Sequence, residues 1–484
     1  MSIRNKIIVL FLCLPFTALR ADNVDSTAAV SAATAFASIH SISGTPEFAA
    51  ALKAQGSDEP VIWIFNFTGG GFVAVAGNDC VRPIVAYSRQ GSVDMGNIPD
   101  GLTSYFRGRA AEIAFGQEYD LEAIPRVRAE WEMLDSKMPG KKSARKEAEY
   151  LLTTTWDQTW PYNMYCPVIN ENTAPVGCVA TALSQIIRYW KHPEHGTGSS
   201  TYFCAACVER LEADYEAATY DYDNMPDVLT NESLDTEKVS IATLCYHVGV
   251  SVMMKYGSTS SGVSMVSVGS YASKSLKEYF KYDTNVTYMD RGAYNTDVWI
   301  DTIRREIEAG RPVFYCGYDN NSEGNDAGHA FVLDGFDPET GFFHINWGWS
   351  GGGDGWFDLY NSDLSVYGYE FTSMHVAVIG IKPREENPDP DPDPDPDPDP
   401  DGIGTITQQE ARLTISPNPA TTSIKINCKA ENGGEMTIHS AAGQLVFRTQ
   451  LKSGENRVTV DTRHYPTGIY FCTIDGHAVK FAVK

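Results

Sequence analysis

Residues 388–401 alternate proline and aspartate without interruption, with seven of each. Proline lacks a backbone N–H and fixes φ, and the repeated carboxylates repel one another, so this segment cannot bury a core. An extended polyproline form is expected, spanning roughly 40 Å at about 3.1 Å per residue. We therefore predict a stiff linker over residues 384–410 that divides the chain into separately folded parts. Calcium binding by the carboxylates is the less favoured alternative.

Residues 411–484, beyond this linker, contain short runs of alternating apolar and polar residues separated by turn residues. A period of two is typical of strands that bury one face. Strands are predicted over residues 413–416, 423–428, 435–440, 445–451, 456–461, 468–474 and 478–483. About seven short strands favour a small β-sandwich, which Cys428 and Cys472 could bridge. This region carries no catalytic combination of residues.

The first 21 residues have the pattern of a secretory signal peptide. Arg4 and Lys6 precede an apolar run over residues 7–16, and Ala18 and Ala21 follow it. The run is too short to remain in a membrane, and no transmembrane segment is predicted later in the chain. We therefore expect an exported protein.

The 484-residue chain has a net charge of −24. Its length suggests about two to four domains, and its acidic balance argues against a nucleic-acid partner. Cys204 and Cys207 form a C-x-x-C pair, but a zinc ribbon needs a second such pair and the sequence has none. These cysteines are expected to form a disulfide or to pack, and no metal or cofactor is predicted.

Residues 22–145 are expected to form a separate unit. Apolar spacing predicts helices over 28–39, 102–115 and 124–137, and strands over 61–67, 71–76 and 83–88. A basic, turn-rich segment follows over residues 137–146 and has the composition of an exposed cleavage site. A folded unit followed by a cleavable segment is the order of a zymogen, although an ordinary interdomain linker would have the same composition.

Cys178 follows Gly177 at the start of a run whose apolar residues have helical spacing up to residue 190. At a helix N-terminus, free N–H groups and the positive end of the helix dipole favour a thiolate over a thiol. Most cysteines on helices are inert packing residues, so a nucleophile needs a base elsewhere in the chain.

His329 is the best candidate for that base. It begins an apolar strand after a loop rich in glycine and asparagine, which leaves its imidazole open to a cleft. Asn346, 17 residues later, is expected on the paired strand, where it could hydrogen-bond one imidazole nitrogen while Trp347 covers that bond. Cysteine, then histidine, then asparagine is the chain order of papain-like enzymes. A helix is also predicted over 237–248 and another over 298–309, followed by strands over 313–318, 329–337, 341–347, 355–359 and 375–381.

Residues 146–383 resemble the peptidase domain of the streptopain family of papain-like cysteine peptidases. Four motifs in the family's order carry the resemblance, and they lie at residues 156–163, 177–182, 328–332 and 346–349. The resemblance implies an α+β fold, with a papain-like catalytic domain preceded by an α+β inhibitory prodomain. It also implies Cys178 as the nucleophile, His329 as general base and acid, and Gln158 as an oxyanion-hole residue. Ser261, Gly262, Val263 and Gly328 match the family's substrate-binding positions, and Trp347 is expected to bind substrate as well. Cys316 or a neighbour stands where the family has a glutamine.

The C-terminal region resembles the sorting domains of the type IX secretion system, through residues 416–420 and 443–446. This resemblance implies passage through the periplasm and then release or anchoring at the cell surface, with the secretion machinery as a partner.

The favoured function is a secreted cysteine endopeptidase made as a zymogen, with proteins or peptides as substrates and its own prodomain as inhibitor. Two alternatives stay open at this point. One is another acyl-transfer enzyme on the same scaffold, such as a narrow processing peptidase or an amidase. The other is a non-enzymatic surface adhesin that keeps the fold.

Overall fold

The computed structural model describes residues 21–54, 56–136, 148–264, 266–319, 327–359 and 375–385 of an N-terminal unit. It also describes residues 413–416, 420, 422–430, 434–440, 445–466, 468–474 and 477–483 of a C-terminal unit. The predicted signal peptide up to residue 20, the basic segment 137–146 and the Pro-Asp repeat lie outside the described residues.

An antiparallel sheet of ten strands runs through the N-terminal unit, in the order β1-β2-β3-β4-β13-β12-β11-β10-β14-β9. The strands of this sheet are β1 Pro46–Lys53, β2 Pro60–Phe67, β3 Phe72–Ala76, β4 Ile84–Ser88, β9 Thr287–Asp290, β10 Val313–Asp319, β11 Ala327–Asp337, β12 Phe342–Asn346, β13 Gly355–Phe357 and β14 His375–Ile379. Two short hairpins lie outside it, formed by β5 Val168–Ile169 with β6 Asn172–Thr173 and by β7 Ser199–Cys204 with β8 Glu209–Asp214.

Seven helices are described in this unit: α1 Ser26–Ile39, α2 Asp100–Glu118, α3 Pro125–Asp135, α4 Cys178–Trp190, α5 Asp235–Ser251, α6 Val268–Glu278 and α7 Thr296–Glu308. Helix α1 packs on one face of the prodomain strands through Phe36, while α2 covers the other face through Phe106. Because both faces are covered, β3 and β4 are apolar and buried along their whole length.

The predicted prodomain, residues 22–145, has no sheet of its own in the described chain. Strand β4 pairs with β13, with Tyr87 opposite Trp356, so the prodomain and the peptidase region share one sheet. The Tyr87 hydroxyl also hydrogen-bonds the buried Asp337 carboxylate at 2.7 Å, and Arg82 forms an ion pair with Asp358 at 3.3 Å. Sequence periodicity finds strands but not their partners, and so it could not find this junction.

Helix α4 is the central helix of the peptidase region. Every residue from Val179 to Ile187 is buried, and the helix packs against α5 and the β10–β11 part of the sheet. Tyr189 ties the end of the helix to the carbonyl of Gly310 at 3.0 Å. This burial fixes the position of α4 relative to the sheet. The candidate functional residues lie around the start of this helix.

The C-terminal unit contains seven described strands: β15 Leu413–Ser416, β16 Ser423–Ala430, β17 Gly434–Ser440, β18 Leu445–Leu451, β19 Gly454–Asp461, β20 Gly468–Ile474 and β21 His477–Val483. They form a three-stranded sheet, β15-β16-β19, and a four-stranded sheet, β18-β17-β20-β21, around one apolar core. All seven predicted strands are therefore found. The possible Cys428–Cys472 bridge is not formed: both are buried thiols in that core, and burial raises the pKa of Cys472 to about 12.

Cys204 and Cys207 do form a disulfide, at the turn between β7 and β8. Across the described residues, no helix is both long and apolar enough to cross a membrane.

Candidate active site

Cys178 is the first residue of α4 and follows a glycine that the local geometry requires. Gly177 has a φ of 88°, in the left-handed region. A Cβ atom at this position would lie 2.8 Å from the Met254 side chain and 3.0 Å from the carbonyl oxygen of Ser261. The close approach of these residues brings the segment 254–261 against the start of α4, next to the thiol.

Cys178 and His329 lie close enough that each shifts the pKa of the other. Burial alone would raise the pKa of Cys178, but the neighbouring His329 outweighs burial and lowers the pKa below its ordinary value. The N–H groups of Ala330 and Val179 act in the same direction. Burial would likewise lower the pKa of His329, but its contact with Cys178 raises the pKa instead. The pair thus favours a thiolate beside an imidazolium.

The other nitrogen of His329 is held by the main chain. Its Nε2 atom lies 3.0 Å from the carbonyl oxygen of Trp347, which can only accept a hydrogen bond. Nε2 therefore carries a proton, and Nδ1 is the atom left to face the thiol. The Trp347 ring is buried and its centroid lies 6.1 Å from that of the imidazole, so Trp347 contributes both the carbonyl that holds His329 and an apolar neighbour.

The predicted hydrogen bond from Asn346 to His329 is wrong. Asn346 is paired with Val332 in the β11–β12 register, three residues along β11 from His329. Its amide instead donates to the carbonyl of Thr154 at 2.6 Å, while its oxygen accepts from Gln185 at 2.9 Å. Asn346 therefore joins β12 to α4 and to the segment before residue 156, and it acts on the site through the position of Trp347.

Asp354 is a functional candidate that the sequence analysis missed. Its carboxylate accepts the N–H of Trp347 at 2.8 Å, so it holds the same residue whose carbonyl holds His329. Burial raises the pKa of this carboxyl to about 7, against the opposing effect of that hydrogen bond. A single aspartate in a glycine-rich loop gives no signal in a sequence, because only the turn back toward Trp347 reveals its role.

Gln158 lies beside the start of α4. Its carbonyl accepts the N–H of Val176 at 2.8 Å, two residues before the nucleophile candidate, and its side chain is largely buried. The Asp157 carboxylate fixes the turn by accepting the N–H groups of Gln158 and Thr159. These contacts bring Gln158 to the same end of the helix as Cys178.

The positions expected to bind substrate flank the thiol on two sides. Gly262 exchanges two backbone hydrogen bonds with Lys255, which closes the loop that carries Ser261 and Val263. The Ser261 carbonyl approaches Gly177, and Val263 packs against the peptidase core. Gly328 is half-buried on β11, directly before His329.

The prodomain touches the catalytic candidates directly. Gly101, in the first turn of α2, leaves no room for a side chain, since a Cβ atom there would overlap the Cδ2 atom of His329. It would also lie 2.7 Å from the Trp347 ring. The neighbouring Asp100 carboxylate further raises the pKa of His329. The start of α2 therefore covers the imidazole.

Three regions of the chain match known families. Residues 156–357 match the peptidase C10 family, residues 21–113 match the Spi protease inhibitor family, and residues 414–484 match the secretion system C-terminal sorting domain. These regions agree in order with the predicted peptidase, prodomain and sorting domain.

Similar proteins include the thiol protease/hemagglutinin PrtT of Porphyromonas gingivalis, which is 30% identical over 315 residues. That match covers 63% of this chain but only 35% of the relative. Streptopain of Streptococcus pyogenes serotype M1 is 29% identical over 343 residues, covering 66% of this chain and 81% of streptopain. Among solved structures, a prointerpain A fragment of Prevotella intermedia aligns with a TM-score of 0.56 at 28% identity, over 70% of this chain and all of the fragment.

The matched regions, the relatives and the shared fold all indicate one family. Residues 156–357 are a peptidase domain of the C10, or streptopain, family, with a Spi-type inhibitor prodomain before it and a secretion system C-terminal sorting domain after it.

Proposed function

We propose that this chain is the zymogen of a secreted cysteine endopeptidase. One observation carries the proposal: Cys178, at the N-terminus of α4, lies beside His329, which lowers the pKa of its thiol, and one nitrogen of His329 is held by the Trp347 carbonyl. A nucleophile, a base and a group that orients the base are the components that acyl transfer through a thiolate needs.

The reaction then follows from the positions of these groups. Nδ1 of His329 takes the proton of Cys178, and the thiolate attacks the carbonyl carbon of a peptide bond. His329 next donates that proton to the leaving amine, so that a thioester to Cys178 remains. Water, deprotonated by the same imidazole, releases the acyl group and restores the thiol.

The negative charge on the carbonyl oxygen needs hydrogen-bond donors during the attack. The backbone N–H of Cys178 lies in the first turn of α4, where no helical carbonyl accepts from it. We assign the second donor to the amide of Gln158, because its main chain is bonded beside this turn. Loss of one such donor typically costs about 3 kcal/mol of transition-state stabilisation.

The prodomain is the inhibitor in this proposal. Gly101 packs on His329 and Trp347, and the shared sheet with the Arg82–Asp358 ion pair holds α2 in that position. A substrate could not reach the imidazole without displacing this turn. We place the activating cleavage within the basic segment 137–146, after which only noncovalent contacts would retain the prodomain.

Peptide hydrolysis and transfer to another acceptor share the acyl-enzyme and can be separated by experiment. The purified full-length chain is incubated with an unfolded protein, with and without an added primary amine. We expect fragments of the substrate protein both with and without the amine, and fewer amine-linked products than hydrolysis products. Amine-linked products without fragments would support the acyl-transfer alternative, and no reaction with Cys178 intact would support a surface adhesin.

A further inference from the structure

Three residues on neighbouring strands, and a fourth that directly follows the edge strand β9, form one row that begins at the proposed catalytic histidine. In the β10–β11 register His329 lies opposite Gly317, and in the β10–β14 register Gly317 lies opposite His375. The β9–β14 register pairs Asp290 with Val376, so the next residue, Arg291, follows on beside His375. Directly paired residues point to the same face of a sheet. We call these four residues the His329–Arg291 row.

Gly317 leaves space in this row next to the catalytic histidine. A Cβ atom at this position would lie 3.5 Å from the Nδ1 and Cε1 atoms of His375, so the imidazole of His375 leans over the glycine. Gly317, Gly328 and His375 are each half-buried rather than enclosed. The row extends away from β12 and from Trp347, which lies on the opposite side of His329, and the prodomain residue Gly101 packs against both His329 and Trp347.

A hydrogen bond to Tyr315 orients the ring of His375. Its Nδ1 atom lies 2.8 Å from the Tyr315 hydroxyl. We assign the tyrosine as the donor in this bond, so that the neutral imidazole carries its own proton on Nε2. Burial, assisted by the charge of Arg291, lowers the pKa of His375 to about 4, so the ring is neutral at physiological pH. Within the described ranges, Nε2 has no hydrogen-bond partner.

Arg291 adds a positive charge at the end of the row. Its guanidinium donates to the carbonyl of Tyr294 and to the hydroxyl of Thr296, both neutral oxygens. In the part of the chain that the structure describes, no carboxylate pairs with it. A donor N–H and an uncompensated guanidinium on one face suit an anionic acceptor.

We propose that the His329–Arg291 row is a specificity pocket that takes an acidic side chain of the substrate, with His375 Nε2 and Arg291 as its recognition groups. This inference rests on the proposed peptidase function. Neighbouring strands lie about 4.8 Å apart, so His375 is roughly 10 Å from His329, while an extended peptide advances about 3.3 Å per residue. The side chain in the pocket therefore belongs to a residue two or three positions from the scissile bond.

The test compares peptides that differ at one position only, with Glu, Gln or Leu placed in turn up to three residues from the scissile bond. The full-length chain is allowed to process itself, and kcat/KM is measured for each peptide. At one position we expect Glu to be preferred over Leu by about tenfold or more, as for a hydrogen bond to a charged group. His375→Leu should remove that preference, and Tyr315→Phe should weaken it by releasing the imidazole.

Arg291→Gln should reduce the preference for Glu over Gln, which depends on charge. It should leave the preference for Gln over Leu, which depends on hydrogen bonding, unchanged. His195→Leu is the matched control, because His195 is exposed and bonded to the carbonyl of Ala218, and it should keep every preference. Cleavage of all peptides without a preference, or a preference that survives both His375→Leu and Arg291→Gln, overturns the pocket alone. Failure to cleave any peptide overturns the proposed function and the pocket together.

Discussion

At the scale of single residues, the reactivity of the site depends on groups that hold the catalytic pair rather than on the pair alone. The Trp347 carbonyl fixes the tautomer of His329, and Asp354 holds the Trp347 main chain from the other side. Asn346 and Gln185 tie the same strand to α4. Small displacements of a general base cost large factors in rate, so this support is part of the catalytic arrangement.

Asp354 should make stability depend on pH in a predictable direction. Its carboxyl has a pKa of about 7 in the folded chain against an ordinary value of 3.8, so the folded state binds this proton more tightly. The stabilising contribution is complete below about pH 4 and is lost as pH rises through 7. The test uses a Cys178→Ala background, which prevents self-cleavage. As the pH is raised from 4 to 7.5, the Tm of Asp354→Asn should rise relative to the Tm of the parent by roughly 2 °C or more. An equal pH dependence in both proteins would contradict this.

The sequence was enough to propose Cys178 and His329 as the catalytic pair, but not to predict the contacts that support them. Each of the two stands at the start of an apolar element beside small residues, and each shifts the pKa of the other in the structure. The Asn346 prediction failed because strand register is set by pairing, and a shift of three residues cannot be read from spacing alone.

At the scale of elements, periodic segments were predicted well and short or alanine-rich ones were not. The bounds of α4, α5 and α7 agree with the predictions to within about two or three residues, because their apolar residues recur at helical spacing. Strand β1 was missed: its Ala49-Ala50-Ala51-Leu52 run favours a helix, and pairing with β2 overrides that propensity. The β7–β8 hairpin, β9 and α6 were missed as well.

The first turn of α2 provides a test of the inhibitory contact. Gly101→Ala places a methyl group against His329 and Trp347, so the helix must move away from the site. We expect the full-length chain to process itself at least about tenfold faster, followed by mass spectrometry over time. Gly108→Ala is the matched control on the same helix, since a Cβ atom there meets nothing within 4 Å, and its rate should not change. Equal rates in both variants would show that α2 does not restrain the site.

At the scale of the whole molecule, the chain divides its tasks between two units. The N-terminal unit contains the prodomain and the peptidase region, which share one sheet, whereas the C-terminal unit is a sandwich with its own core. The secretion system C-terminal sorting domain indicates that the protein is secreted or held at the cell surface. Composition was enough to predict this division, because the Pro-Asp repeat cannot be part of a hydrophobic core and so separates the regions on its two sides.

A chain that stops near residue 386 should therefore keep its catalytic function but no longer be exported across the outer membrane. In vitro we expect self-processing and kcat/KM within about twofold of the full chain, since the described strands of the sandwich supply none of the site residues. In the native host the truncated chain should accumulate in the periplasm, which cell fractionation would detect. Normal export of the truncated chain would contradict the sorting role, and loss of activity in the purified protein would contradict the division of tasks.

The central claim is that Cys178 is the nucleophile, and a time course of self-processing tests it most directly. Purified full-length chains carrying Cys178→Ala or Cys245→Ala are incubated and followed by mass spectrometry, with casein cleavage as a second reading. Cys245 is the matched control: it is a buried helical thiol whose pKa is raised to about 12 by burial, so it has no thiolate character. We predict that Cys245→Ala matures and cleaves casein while Cys178→Ala remains an intact, inactive precursor. Maturation and casein cleavage by pure Cys178→Ala would contradict the account.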